Sequence, residues 1–154
     1  MPSSLRASIL VPEARRARGI LDTSVVIDLE RLDPEQLPIE IAISAITMAE
    51  LAAGPHATAD PEERSRRQDR LQRAEAAFDP LPFDSEASRA YGRVYSAVVA
   101  AGRKARGARA VDLLIAATAC SMGLPLYTRN PEDFQALGDL VEVISVQPAL
   151  GRLG

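Results

Sequence analysis

Four acidic residues stand beside apolar segments of the chain, where a buried charge needs an explanation. Asp22 follows the apolar run "GIL", Glu50 lies in "TMAELAA", Asp112 begins "DLLIAATAC", and Asp133 follows "LYTRNPE". Burying an ionised carboxylate is costly unless it is hydrogen-bonded, paired or bound to a cation. Asp22 is the hardest of the four to explain structurally, because an acid that ends an apolar strand has no evident capping role.

If the four carboxylates converge, their charges call for a proton or a counter-ion. Two carboxylates about 4 Å apart repel by about 4 kcal/mol at an effective dielectric of ~20. An all-oxygen donor set without His or Cys is typical of a hard divalent ion such as Mg²⁺ or Mn²⁺. Such an ion activates water and stabilises charge on a phosphoryl group, so phosphodiester hydrolysis is the natural chemistry.

Strands alternate with helices along the chain, which predicts an α/β sandwich around a mostly parallel sheet of four to five strands. The predicted strands are 19–22, 39–44, 81–83, 124–128 and 141–146. The predicted helices are 23–31, a segment through Glu50 that ends near Gly54, 61–78, 85–101, 110–123 and 130–138. The helix at 110–123 is apolar on nearly all sides, so we expect it to be buried.

Local signals mark several helix ends. Asp60 is the predicted N-cap of a helix that begins at Pro61, and Asp84 or Ser85 is predicted to cap the next helix. Gly123 is predicted to end the buried helix. We divide the chain into an N-terminal extension (1–18), one domain (19–147) and a C-terminal tail (148–154).

In an open parallel sheet, ligands bind at the carboxyl ends of the strands. Asp22, Glu50 and Asp133 should project at that edge, and Asp112 can join them from the start of a helix. Structural explanations exist: Asp133 and Asp112 would favour a helix dipole, the former behind an Asn130 N-cap, and Glu50 would be solvated. A functional site is favoured because the alternative needs four separate explanations at one edge.

Composition narrows the class of protein. The chain has 154 residues, of which 47% are hydrophobic and 25% charged, as in a soluble globular domain. Its formal net charge of −3 argues against binding nucleic acid by bulk charge alone. A single cysteine, Cys120, and a single histidine, His56, argue against a disulfide and a zinc site. No apolar run reaches the ~20 residues that span a membrane, so we expect no membrane partner and a cytoplasmic location.

Four segments, "LDTSVVIDL", "ITMAELAAG", "VDLLIAATACSMGLPLYTRNPEDF" and "VEVIS", resemble the PIN domain family. The likeness is to the VapC-type toxins of bacterial and archaeal toxin–antitoxin pairs, and it runs from about Gly19 to Val146. It implies a three-layer PIN fold and a Mg²⁺- or Mn²⁺-dependent endoribonuclease that acts on RNA and is held inactive by a cognate antitoxin. It also implies a homodimer or a toxin–antitoxin hetero-oligomer.

The resemblance assigns roles to particular positions. Asp22 and Asp112 match the first and third acids of the family, which are tied most directly to the metal. Glu50 and Asp133 match the second and fourth acids, which would act on the metal through water. Polar residues of the same pocket are matched by Ser24, Thr128 and Asn130.

The basic segment "GRKARGAR" immediately precedes Asp112. Cations beside a metal site can hold the phosphates on either side of a cleaved bond, although a solvated loop explains the segment about as well. The predicted RNA contacts are Arg103, Lys104, Arg106 and Arg109. A second charged run, "EERSRRQDRLQR", alternates in sign and is predicted to be a solvated helix face.

Other functions compete with a toxin nuclease. A PIN nuclease of RNA processing and a catalytically silent module that binds RNA or protein remain alternatives. A receiver-like switch is disfavoured because the last predicted strand has no lysine, and an aspartate-nucleophile phosphatase because "DTS" lacks a second acid two residues after Asp22.

Overall fold

Strands and helices alternate along the described part of the chain, residues 15–148 of this computed structural model. The strands are β1 (Arg18–Leu21), β2 (Glu40–Ile43), β3 (Leu126–Thr128) and β4 (Val143–Ser145). The α-helices are α1 (Thr23–Ile27), α2 (Ala45–Ala53), α3 (Pro61–Ala77), α4 (Ser85–Ala100) and α5 (Ala108–Met122). Within the same residues, 3₁₀ segments are found at Leu29–Arg31, Pro34–Gln36, Gly54–Ala57 and Pro131–Leu140.

The four strands of the described region form one parallel sheet in the order β2-β1-β3-β4. The predicted mostly parallel sheet is confirmed. The predicted strand at 81–83 is reduced to one bridge, in which Leu81 pairs with Ser44. Prolines on both sides of Leu81 lack the N–H that would continue the ladder, which explains why the pairing stops there.

The strand order creates a crevice at the carboxyl edge of the sheet. The chain leaves β1 toward β2 on one side, and β3 later returns to the other side of β1. This reversal is the topological switch point at which ligands bind in open parallel sheets. Asp22 directly follows β1, and Thr128 ends β3 beside it.

Helices cover both faces of the sheet, as the predicted three-layer sandwich requires. Successive residues of a strand point to opposite faces. Ile20 packs with α4 and α5 on one face, and Leu21 packs with α1, α2 and α3 on the other. The helix predicted to be buried, α5, has no solvent contact from Leu113 or from Ile115 to Ala117.

The helix-end predictions have mixed outcomes. Asp60 and Asp84 both cap as predicted, accepting hydrogen bonds from the N–H groups of Glu62 (3.3 Å) and Ala87 (2.9 Å). Gly123 ends α5 in the left-handed conformation, also as predicted. Asn130 was predicted to be an N-cap, but its side chain makes no capping hydrogen bond.

Two helices differ in form from the prediction. The helix predicted at 23–31 is broken into α1 and the 3₁₀ segment Leu29–Arg31, because three consecutive β-branched residues are weak helix formers. The helix predicted at 130–138 is a 3₁₀ segment with a kink at Gly138, whose φ is 55°.

The ends of the chain were predicted to be an extension (1–18) and a tail (148–154). Residues 1–14 and 149–154 lie outside the described residues, so this division stays a prediction. Within the described part, the Arg15 guanidinium donates to the carbonyl of Leu37 (3.1 Å) and Arg16 pairs with Glu142 (2.5 Å). No helix of residues 15–148 is long and apolar enough to cross a membrane.

Candidate active site

Asp22 lies at the switch point, with only 4% of its surface exposed. Its Oδ1 accepts hydrogen bonds from the Ser24 hydroxyl (2.6 Å) and the Val25 N–H (3.2 Å). Burial raises the pKa of Asp22, while hydrogen bonds from Ser24, Thr128 and Val25 oppose that rise. The expectation that this acid has no capping role was wrong, because Asp22 is the N-cap of α1.

A chain of hydrogen bonds fixes Asp22 to the end of β3. The Ser24 hydroxyl accepts from the N–H of Arg129 (3.2 Å), and the fully buried Thr128 hydroxyl accepts from the N–H of Asn130 (3.0 Å). Ser24 and Thr128 therefore lie beside Asp22, and their part in a functional pocket stays a prediction. Asn130 contributes its backbone to this network, and its side chain is exposed.

Asp112 projects from the second turn of α5 and is half-buried. Its pKa is raised to about 6, first by burial and then by the charges of Asp22, Asp133 and Glu50, with Arg109 opposing them. A charge shifts the pKa of another group strongly only over short distances. Asp22, Asp133 and Glu50 therefore all lie close enough to Asp112 to raise its pKa.

Glu50 lies on α2 and is exposed to solvent. Its Oε1 accepts a hydrogen bond from the Thr23 hydroxyl (2.6 Å), which also lies 3.1 Å from the hydroxyl of buried Thr47. Thr47 lies one turn before Glu50, so α2 presents both side chains toward α1. This contact ties the acid of α2 to the residue next to Asp22.

Asp133 lies in the 3₁₀ segment after β3 and pairs with Arg109 of α5. The Arg109 guanidinium lies 3.4 Å from Asp133 Oδ1 and donates to the Asp133 carbonyl (3.1 Å). Both side chains are about one-third exposed, so the pair adds little stability but orients the two groups.

The four carboxylates are chemically suited to a hard divalent ion, but as they stand they do not form a coordination site. Among residues 15–148, no group of three or more His, Cys, Asp or Glu side chains is arranged so that it could hold a metal ion as it stands. The charges nevertheless favour a cation, because the converging groups are all carboxylates and they raise the pKa of Asp112. All-oxygen donor sets generally favour Mg²⁺ or Mn²⁺, and binding of such an ion by this protein stays a prediction.

Comparison with known proteins decides the family. Residues 19–140 match the PIN domain. The chain belongs to the PIN domain family. The resemblance predicted from the motifs is confirmed, and the four-stranded parallel sheet flanked by helices is the fold of this PIN domain.

Relatives of this PIN domain include VapC proteins. Ribonuclease VapC5 of Mycobacterium tuberculosis is 38% identical over 135 residues, which cover 84% of this chain and 96% of that protein. VapC ribonuclease Y4jK of Sinorhizobium fredii is 33% identical over 131 residues, with coverage of 77% and 91%. The crystal structure of VapBC-5, a toxin–antitoxin system member from M. tuberculosis, matches with a TM-score of 0.75 at 38% identity, covering 84% of this chain and 99% of that one.

The predicted RNA contacts of this PIN domain have different surroundings. Arg109 pairs with Asp133, and Arg103 donates to the carbonyl of Glu132 (3.1 Å). These two cations therefore link α5 and the segment before it to the 3₁₀ segment. Lys104 and Arg106 are exposed in the loop before α5. Contact of these four residues with RNA stays a prediction.

Sequence reasoning missed two contributors to the pocket of this PIN domain. Thr23 holds Glu50, and Arg129 forms an ion pair with Asp28 while its N–H bonds to Ser24. A signal for Thr23 was present, because it is the hydroxyl residue directly after Asp22. No local signal announces Arg129, since its partners precede it by about a hundred residues.

Proposed function

We propose that this protein is a Mg²⁺-dependent endoribonuclease that hydrolyses phosphodiester bonds of RNA and is kept inactive by a cognate antitoxin. The observation that carries the proposal is the electrostatic coupling of Asp22, Glu50 and Asp133 to Asp112 at the switch point of a PIN fold. The names of the VapC relatives, which are called ribonucleases, support it.

Each acid has a distinct part in this proposal. Asp22 and Asp112 would hold the ion, with Asp22 kept in one orientation by Ser24 and by the Val25 N–H. A bound Mg²⁺ supplies stabilisation of charge on the phosphoryl group and a lowered pKa of attacking water. Glu50 is solvent-exposed and hydrogen-bonded to Thr23, so it would accept a proton from an attacking water, and Asp133 would help to orient that water.

The test is substitution of the buried acid. Asp22→Asn keeps the size of the side chain and its capping oxygen, so we expect a folded protein that cleaves no RNA and binds Mg²⁺ at least tenfold more weakly. Sequencing of RNA ends after induced expression, with wild type beside the variant, identifies the cut sites.

The matched control is Asp79→Asn, which removes an exposed acid from the loop after α3. This control should produce the same RNA ends as wild type. RNA ends that appear equally with Asp22→Asn would exclude Asp22 from the mechanism.

The antitoxin part of the proposal is supported by the similarity to VapBC-5, a member of the VapBC family of toxin–antitoxin systems. The carboxylates of this site form an anionic pocket that a basic side chain of a partner can enter. A catalytically silent binding module remains the alternative. Calorimetric titration with Mg²⁺ separates the two, because a silent module would bind no ion at the carboxylates.

A further inference from the structure

A cavity of about 320 Å³ lies beside the carboxylate site, among α1, α2 and α3. Its lining includes Thr23 and Glu50 of the carboxylate site together with Arg67 and Arg70 of α3. A molecule bound at the carboxylates can therefore extend into this cavity and reach the cations of α3.

Two of the four described charged residues that line the cavity, Glu63 and Arg67, are paired with each other. Glu63 is bonded to Arg66 (2.9 Å) and to Arg67 (3.0 Å), and Arg67 also donates to the carbonyl of Gly54 (2.9 Å). Arg70 is half-buried and makes no hydrogen bond or ion pair with any residue of 15–148. Arg70 is thus the cation of this lining that has no anionic partner among these residues, while Glu50, the fourth charged group, is hydrogen-bonded to Thr23.

Arg70 departs from the prediction that the charged run of α3 is a solvated face, because its side chain is half-buried. The charged run of α3 was predicted to be a solvated face, and Arg66 and Arg73 are indeed exposed ion-pairing residues. Arg70 differs from them, because it lines this cavity and also the neighbouring one of about 400 Å³ between α3 and the segment 26–31. Arg70 therefore lies where the two cavities adjoin.

We propose that this cavity receives the RNA strand next to the reacting phosphodiester and that Arg70 bonds to a phosphate of that strand. The inference rests on the proposed ribonuclease function and adds to it the path of the substrate. A guanidinium presents several N–H donors in a plane and binds phosphate oxygens in pairs, which makes it suited to this contact.

The lining favours RNA over a segment of a partner protein. Among the described residues that line this cavity, the large apolar side chains are Ile27 and Leu51, and the others are charged, hydroxyl-bearing or glycine. Protein segments gain affinity from buried apolar anchors, but phosphate contacts dominate the binding of nucleic acid. In this lining, Arg70 is the cation available to a phosphate of an RNA backbone.

The decisive measurement is the salt dependence of RNA binding. We would use a fluorescent single-stranded RNA oligonucleotide of mixed sequence and proteins that carry Asp112→Asn, so that no cleavage interferes. Adding Arg70→Gln should weaken binding about tenfold at low salt. The plot of log affinity against log salt concentration should also become less steep by about 0.7, which is the value for one lost phosphate contact to a single-stranded nucleic acid.

Two matched variants separate this effect from a structural one. Arg70→Lys keeps the charge, so it should retain the salt slope while losing part of the affinity. Arg89→Gln removes an arginine of α4 that is exposed and paired with Glu86, and it should change neither quantity. In the active protein, Arg70→Gln should raise KM about tenfold and leave kcat within about twofold, because the contact is equal in ground and transition states.

The outcomes distinguish this inference from the proposed function. If wild type cleaves RNA and Arg70→Gln leaves the salt slope and KM unchanged, the RNA path is wrong while the ribonuclease proposal stands. If Arg70→Gln weakens only the binding of the antitoxin, a protein segment occupies the cavity and the inference is wrong. If wild type neither binds nor cleaves RNA, both proposals fail.

Discussion

Asp112 is influenced by the charges of the other acids of this site and of Arg109. It is half-buried, and three other carboxylates add to the effect of burial on its pKa. Arg109 is the neighbouring cation that opposes them, but it is already paired with Asp133. The folded protein therefore holds Asp112 in an unfavourable place for an ionised acid, which is typical of residues kept for function rather than stability.

The unfavourable burial of the Asp112 charge predicts that removing this charge raises the stability of the protein in a pH-dependent way. The pKa of Asp112 rises from an ordinary value of 3.8 to about 6 on folding, so the folded state binds more protons between these values. The free energy of unfolding of wild type therefore falls as the pH rises through that window and stays low above it.

We expect Asp112→Asn to melt at a higher temperature than wild type at neutral pH and at the same temperature near pH 4. Because the side chain is only half-buried, solvent screening reduces the gain to about 1 kcal/mol. Thermal denaturation from about pH 4 to about pH 8 measures it. Asp79→Asn, an exposed acid, should follow the wild-type curve, and a constant difference across the pH range would contradict the electrostatic explanation.

At the scale of elements, the site depends on how closely β1 and β3 approach. Gly19 of β1 lies against the ring of Tyr127 of β3, which is 2% exposed. A Cβ at Gly19 would overlap that ring and would also lie 3.3 Å from Pro38. The glycine therefore allows the packing that sets Asp22 and Thr128 side by side.

Gly19→Ala should destabilise the protein by about 1–3 kcal/mol, since a side chain forced into a packed core displaces its neighbours. The matched control is Gly92→Ala in α4, where an added Cβ meets nothing within 4 Å. This control should be neutral or stabilise by up to about 1 kcal/mol, because alanine favours a helix. Chemical denaturation measures both, and equal effects of the two substitutions would refute the packing argument.

At the scale of the whole molecule, the carboxyl edge of the sheet concentrates negative charge. Asp22, Asp112 and Asp133 reach this edge from three different elements, and Glu50 reaches it from α2. An anionic pocket of this kind attracts cations, whether a divalent ion or a basic side chain of a partner.

We therefore expect antitoxin and Mg²⁺ to compete for the pocket. A basic side chain that enters it would be repelled by a bound ion, so the apparent affinity of the antitoxin should fall as Mg²⁺ is added. Titration calorimetry of the proposed antitoxin into this protein at several Mg²⁺ concentrations measures this, with NaCl of matched ionic strength as the control. If saturating Mg²⁺ does not change the affinity of the antitoxin, the inhibitory contact lies outside the carboxylate pocket.

Local patterns in the sequence were enough to predict most of the elements and several helix ends. Asp60, Asp84 and Gly123 act within one turn of their own helix, so their roles can be read from neighbouring residues. The alternation of strands and helices predicted the sheet, because parallel strands need such crossovers. The segment 81–83 failed as a strand, since its flanking prolines limit it to one bridge.

Only the tertiary structure decided how the side chains at the edge of the sheet are partnered. Asp22 caps α1, Thr23 bonds to Glu50, Arg109 pairs with Asp133, and Arg70 has no partner among residues 15–148. These relations involve residues on different elements or depend on a backbone conformation that packing sets. Hydrogen bonds and ion pairs depend on distances of a few ångströms, which spacing along a chain does not define. The sequence thus determined which residues are present and which elements carry them, and packing determined which of them meet.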